Sequence, residues 1–395
     1  MVGAANKPGF QGVTTGMDVG RVAAKKRPLV AVVAAIAVAA VAGGGLLAAA
    51  RGPRSQAGAA DAPLAVTATA GGPQATSTGT LPTTVPLDAT KLRAGRAPQL
   101  TYVRGRTVFG TTGTPVKVPG TPDIAAAARL WDTTLTVQVK SATSSELVIQ
   151  DYTGKVVKQV PKVDSLVTSA DDRYAAYASG GQYAVGTAGG SVYLQQPDPR
   201  TVAVLHRPKD YNLHVLAVVG KTVYFHSGPG PDAPSNLYRW DVDKKSIRQV
   251  DKVVTPVAVA ADASLAAGLP VFTDSGLCSV VTELASGLQR WRTCQYRLDR
   301  FSGGSAFVVG LPPGTGEPYG ERRTSVLDSK TGKLLRTWTA PSLRAAVAED
   351  DDHLLLLWND QPEPQSHSAV VRCTVSTGAC ELATPLSSEP LLLGS

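Results

Sequence analysis

The chain has 395 residues, 43% of them hydrophobic and 18% charged, which is enough apolar material for a large core. Its four cysteines are too few for a disulfide-dense mini-scaffold. The net charge of +8 is unevenly placed: residues 1–27 carry +4 and residues 28–98 carry +3, which leaves +1 for residues 99–395 and excludes the basic footprint of a nucleic-acid-binding domain.

Residues 1–27 are polar, Gly-rich and without periodicity, and read as a disordered cytoplasmic tail carrying Lys7, Arg21, Lys25, Lys26 and Arg27. Pro28 to Ala50 then runs 23 residues without a charged or polar side chain. A helix rising about 1.5 Å per residue crosses the ~30 Å hydrocarbon core with about that length. Basic residues crowd the N-terminal flank, whereas only Arg51 and Arg54 follow closely. The positive-inside rule therefore places the N-terminus in the cytoplasm and the remainder outside the membrane. The run also exceeds the roughly 7–15 apolar residues of a cleaved signal peptide, so the reading is an uncleaved signal anchor. Residues 51–98 are rich in Ala, Thr, Pro and Gly. They bury too little apolar surface to offset their ordering entropy and read as a linker, with an end-to-end distance of about 40 Å as a flexible coil.

Residues 99–395 repeat themselves. Thr324 to Trp338, TSVLDSKTGKLLRTW, reads as two short strands about a tight turn. Aligning its Gly332 with Gly154, Arg200, Lys245, Gly287 and Gly378 gives intervals of 42 to 46 residues, with Gly113 in a weaker copy upstream. Between the hairpins a polar turn followed by an apolar strand recurs, as SADDRYAAYAS from Ser169, AADASLAAG from Ala260 and AEDDDHLLLLW from Ala348. A period near 45 residues with short strands and no helical periodicity describes one blade of a β-propeller. The phrase Ser169 to Tyr177, followed by a hairpin with a D-x-x-T-G-K type of turn, resembles the blades of TolB-like and WD40-like β-propellers over roughly residues 100–395. The resemblance implies an all-β wheel of six or seven blades used as a binding platform, and it brings no catalytic residue with it.

The strands near Leu100 make less than a whole blade, six fuller units follow, and the chain ends in EPLLLGS. A wheel must satisfy its first and last edges. Pairing Leu391 to Leu393 with the Leu100 region predicts a seventh blade closed by both ends of the domain. The same hairpin frame pairs the cysteines. Cys278 and Cys294 are symmetric about Ser286, and Cys373 and Cys380 about Ser376–Thr377, so each pair is expected to bridge its own hairpin in an oxidising compartment.

Chemistry is sparse. None of His206, His214, His226, His353 and His367 sits in a metal-binding spacing, and no nucleophile elbow or phosphate loop is present. The acidic run Glu349 to Asp352 falls at a turn and reads as solvated. Three long irregular stretches, Pro312 to Gly320, Ser227 to Pro234 and Asp360 to Gln365, lie between the second and third strands of their units. They must therefore emerge on one face, the default place for binding loops. The expectation is a membrane-tethered, extracytoplasmic, non-catalytic propeller without metal or cofactor, which binds or scaffolds an unknown envelope protein or cell-wall ligand. A propeller enzyme, lyase or quinoprotein-like, with its active site at the central channel is the alternative.

Overall fold

Strand β25 (His353–Asn359, HLLLLWN) shows why this sequence folds as stacked sheets. Leu354, Leu356 and Trp358 are buried in one core cluster, while Leu355 and Leu357 are buried in another. A strand covered on both faces reads as a continuous apolar run instead of an alternating one. The computed structural model describes residues 83–394 apart from 112, 181–187, 274–275, 315–316, 318 and 364–365. All of them belong to one compact unit, Thr76–Ser395. The expected tail, the apolar run Pro28 to Ala50 and most of the expected linker lie outside the described residues. Among the described residues no helix is long and apolar enough to cross a membrane.

A short strand β1 (Thr84–Pro86) and a 3-10 turn (Ala89–Lys91) come first. Strands β2 (Tyr102–Arg104), β3 (Thr107–Phe109) and β4 (Val116–Lys117) follow. Antiparallel meanders then succeed one another. They are β5 (Asp123–Leu130), β6 (Thr133–Ser141), β7 (Ser144–Gln150) and β8 (Val156–Pro161); then β9 (Val163–Thr168), β10 (Ala175–Ser179), β11 (Gly190–Gln195) and β12 (Val202–Arg207). Next are β13 (Tyr211–Val219), β14 (Thr222–Gly228), β15 (Asn236–Asp241) and β16 (Ser246–Val254), then β17 (Pro256–Val259), β18 (Leu265–Thr273), β19 (Gly276–Glu283) and β20 (Gln289–Thr293). The last path holds β21 (Arg297–Phe301), β22 (Phe307–Leu311), β23 (Glu321–Asp328), β24 (Leu334–Ala348), β25, β26 (Ser368–Thr374) and β27 (Cys380–Leu382). The long β24 pairs with β23 through its first half and with β25 through its second. Strand β28 (Leu391–Leu393) returns to pair with β2, setting Leu393 opposite Tyr102 and Leu391 opposite Arg104.

Successive sheets touch through their first strands, β5 with β9, β9 with β13, β13 with β17 and β17 with β21. Strand β28 touches β5 on one side and β25 and β26 on the other, which makes the series circular. This is a propeller. Its core is divided among the interfaces between neighbouring sheets. Leu135, Val137, Leu147 and Ile149 meet Val163, Leu166 and Tyr177 between the β5–β8 and β9–β12 sheets, for example. Burying each such leucine stabilises by roughly 1.5–3 kcal/mol.

Disulfides join Cys278 to Cys294 and Cys373 to Cys380, each across one hairpin with Cα atoms 4.1 Å apart. Cys373 and Cys380 are direct register partners on β26 and β27. In the chain-entropy account, closing loops of these lengths stabilises by about 3 and about 2.4 kcal/mol.

Two expectations are corrected. The linker does not extend to residue 98: β1 pairs in parallel with β24, and Leu87 and Ala89 are buried in the core beside Trp338. Their Pro- and Thr-rich composition resembles a linker, yet their backbone groups and two apolar side chains find partners on the rim. The acidic run is not simply solvated either. The Glu349 side chain is almost wholly buried, bridged by Arg372 and accepting from the Gln99 backbone N–H. Its neighbour Asp351 accepts from Ser302 Oγ and Gly304 N, at 2.8 Å each, on the adjoining repeat unit.

Candidate functional site

The β5–β6 hairpin turns through two residues, Trp131 and Asp132, with Leu130 opposite Thr133 in register. The β2–β3 and β13–β14 hairpins make two-residue turns with Gly105 and Gly220 in the first position, at φ 58° and 57°. Glycine suits that left-handed backbone because it has no Cβ to clash. Trp131 occupies the equivalent position at φ 48° and is 62% exposed. A bulky residue held in a strained conformation with its ring in water gains nothing from folding. Such strain marks candidate functional positions.

Tyr152 stands near it on the β7–β8 turn, 69% exposed. Asp151 ties that turn together, accepting from the Thr153 backbone N–H at 2.9 Å, the Thr153 hydroxyl and the Lys155 N–H. These bonds, led by that of the Thr153 hydroxyl, hold the Asp151 carboxyl below the usual range. The β11–β12 turn supplies the opposite wall. There Asp198 accepts from Arg200 N and Thr201 Oγ1, while Gln195 Nε2 donates to the carbonyls of Gln196, Asp198 and Thr201. Thr133 Oγ1 donates to the Pro197 carbonyl and joins the two walls.

Together these turns enclose a cleft of about 840 Å³ between the β5–β8 and β9–β12 sheets. Trp131, Tyr152, Val156 and Val157 line it, four of the ten exposed large apolar side chains among the described residues. Three carboxylates (Asp132, Asp151, Asp198) and three bases (Lys155, Lys158, Arg200) surround them, so the rim is balanced in charge. Neither Trp131 nor Tyr152 is a candidate in the sequence reading. The available signal is a tryptophan at a turn position that is glycine in other units.

The long loops gather only in part. Pro312, Glu317, Tyr319, Gly320 and Pro362 border a shared cleft of about 620 Å³ that also includes Arg322 and Arg323, and the Ser227 to Pro234 loop takes no part in it. Among the described residues no three His, Cys, Asp or Glu side chains gather as a metal site. His214 and His226 face each other across β13 and β14 with ring centroids 5.3 Å apart. Burial, aided by neighbouring His214, pushes His226 down to about 3.

No protein-family model matches this chain, and no curated protein sequence matches it. Solved structures with similar arrangements include TolB from Acinetobacter baumannii, at 12% identity and TM-score 0.41, covering 70% of this chain and 65% of TolB. The chain thus spans less than two thirds of that protein's length. An uncharacterised protein from Listeria monocytogenes is similar over 77% of this chain and 92% of its own, at 8% identity and TM-score 0.46. The β-propeller domain of the Trilobed protease from Pyrococcus furiosus is similar over 67% of this chain and 99% of its own, at 7% identity and TM-score 0.42. The fold assignment itself rests on this chain's own ladders and ring closure.

Proposed function

We propose that this protein is a membrane-tethered, extracytoplasmic, non-catalytic β-propeller that binds an envelope protein in the Trp131–Tyr152 cleft. The wheel has seven blades on this reading: the two halves of β24 serve two of them, and β28 with β2–β4 forms the blade closed by both ends. The tether is the Pro28 to Ala50 apolar run with its basic N-terminal flank. The exposed Trp131 at φ 48° carries the binding assignment. Trp, Tyr and Arg are the residue types that dominate protein–protein hot spots, and Trp131, Tyr152 and Arg200 lie around one cleft. Asp151 and Asp198 are engaged in bracing their own turns, which favours binding over acid–base chemistry at this site.

The test is a photo-crosslinking residue placed at Tyr152 in the intact, anchored protein in living cells, with Val204, 40% exposed and outside the cleft, as the control position. A discrete protein adduct is expected from position 152 alone, and W131A should remove it. The same adducts from both positions, or persistence in W131A, would overturn the assignment.

A further inference from the structure

A second cleft, of about 710 Å³, opens between the β13–β16 and β17–β20 sheets. Its wall on the β13–β16 side carries an unusual row of side chains. Tyr224 on β14 is the register partner of Arg239 on β15, and Arg239 is the register partner of Arg248 on β16. Directly opposed residues in an antiparallel pair share one face, so the phenol and two guanidinium groups lie side by side. Like charges placed opposite one another destabilise a sheet. The contrast within this protein is Arg372 on β26, whose register partner on β27 is a carboxylate, Glu381.

The negative charge near the pair falls short of cancelling it. Asp241 approaches Arg239 only to 3.9 Å and is engaged by the Lys244 N–H and ammonium group. Glu283 across the cleft is held by Arg290 and Ser286. Asp251 is the single carboxylate among the lining residues, against Arg239, Arg248 and Lys252. The Nε of Arg239 is buried without a hydrogen-bond partner. Lys252 sits at φ 67°, and its aliphatic stem lies over Gly287 of the next sheet, where a Cβ would come within 3.0 Å of its Cδ. The lysine therefore spans the cleft from one wall to the other.

We infer that this cleft is a binding site for a phosphate-type oxyanion, presented as a phosphomonoester or phosphodiester and held between Arg239 and Arg248 with Lys252 at its edge. Guanidinium groups match the geometry of phosphate oxygens by donating parallel hydrogen bonds. The anion would relieve the repulsion between the two arginines. The apolar wall formed by Ala263, Leu284 and the Gly287 turn leaves room for the carbon portion of an ester.

The experiment is calorimetric titration of the full chain in neutral detergent with inorganic phosphate, with ionic strength matched by sodium chloride. Saturable binding is expected, weakened at least tenfold in R239Q and in R248Q, partly retained in R248K and unchanged in R173Q, an exposed arginine in the β9–β10 connection. A parallel melt keeps the test independent of affinity. Without phosphate R248Q should melt above wild type, because one of two like charges is gone, and phosphate should raise Tm in wild type and R173Q but not in R248Q. Arms with soluble poly(glycerol phosphate) and with phosphatidylglycerol vesicles, against phosphatidylcholine vesicles, separate a polymer from a lipid headgroup as the phosphate source. Phosphate binding equal in wild type and R248Q, or no saturable binding in any arm, would overturn the site.

Discussion

The two inter-sheet clefts are built from the same parts and differ in what their turns and ladders present. Between the β5–β8 and β9–β12 sheets, exposed aromatic rings sit on a rim balanced between acids and bases. Between the β13–β16 and β17–β20 sheets, the first turn keeps Gly220 where its counterpart has Trp131, and the ladder carries two opposed arginines. A repeated scaffold fixes where a cleft forms; the residues tolerated at turn and edge positions decide its chemistry. The second cleft also borders a sheet stapled by Cys278–Cys294 and a strand pair holding the facing His214 and His226 rings.

The largest expected effect falls on both clefts together. Removing residues 388–395 deletes β28, including Leu393, which is buried with Leu355, Leu357 and Val370, and Leu391 packed against them. Two leucines alone contribute about 3–6 kcal/mol, a large share of the 5–15 kcal/mol typical of a domain. Thermal melting should drop sharply, and amide exchange in β2, β3 and β25 should quicken. A truncated protein that melts like the full chain would show that β28 does not hold the ring shut.

Acid should separate the clefts. His226 titrates near 3 when folded, against an ordinary value of 6.5, so the unfolded chain takes up its proton first as pH falls. This residue therefore costs nothing at neutral pH and erodes stability progressively from about 6.5 toward about 3. Urea midpoints at pH 7.5 and pH 5 should differ less in H226F than in wild type. An equal difference would mean that His226 is not the source. Amide protection factors, corrected for the intrinsic pH dependence of exchange, should fall in β13 and β14 on acidification before those in β5 and β6.

The smallest effect is confined to the first cleft and has the opposite sign. W131G relieves a left-handed backbone that costs a non-glycine residue about 1–2 kcal/mol. Some of that gain is offset because glycine adds freedom to the unfolded chain. The variant should be as stable as wild type or about 1 kcal/mol more stable by chemical denaturation, while losing the crosslink at position 152. A variant destabilised by more than that would make Trp131 a packing residue instead of a binding one.

Much of the fold is legible in the sequence because its determinants are local. Turn glycines such as Gly154 and Gly332, the two-residue alternation of strands, and cysteines symmetric about a hairpin all act within a few residues. What escaped needs distant partners. The Thr84–Pro86 strand looks like linker until it meets Thr337–Thr339, and Glu349 looks solvated until Arg372 arrives from the far side of the hairpin. Trp131 escaped for a different reason: alignment of repeats brings out what the units share, and its importance lies in how it departs from them. The Arg239–Arg248 pair needs strand register, which the turn at Lys245 sets but the composition of the hairpin does not reveal.

The N-terminal strap also has a mechanical meaning. Between any upstream attachment and β2 the chain is fastened at the rim. The parallel β1–β24 ladder comes first, then the Gly95 and Leu382 backbone bonds, and then Arg372 gripping the carbonyls of Arg96 and Ala97. Tension arriving at Thr84 is loaded onto these fastenings, and a pull along the axis of β1 would have to shear its ladder as a group. Strand β2, whose pairing with β28 closes the ring, is shielded behind them. The strap is a strain relief: it lets the wheel be pulled from its N-terminal side without opening at its seam.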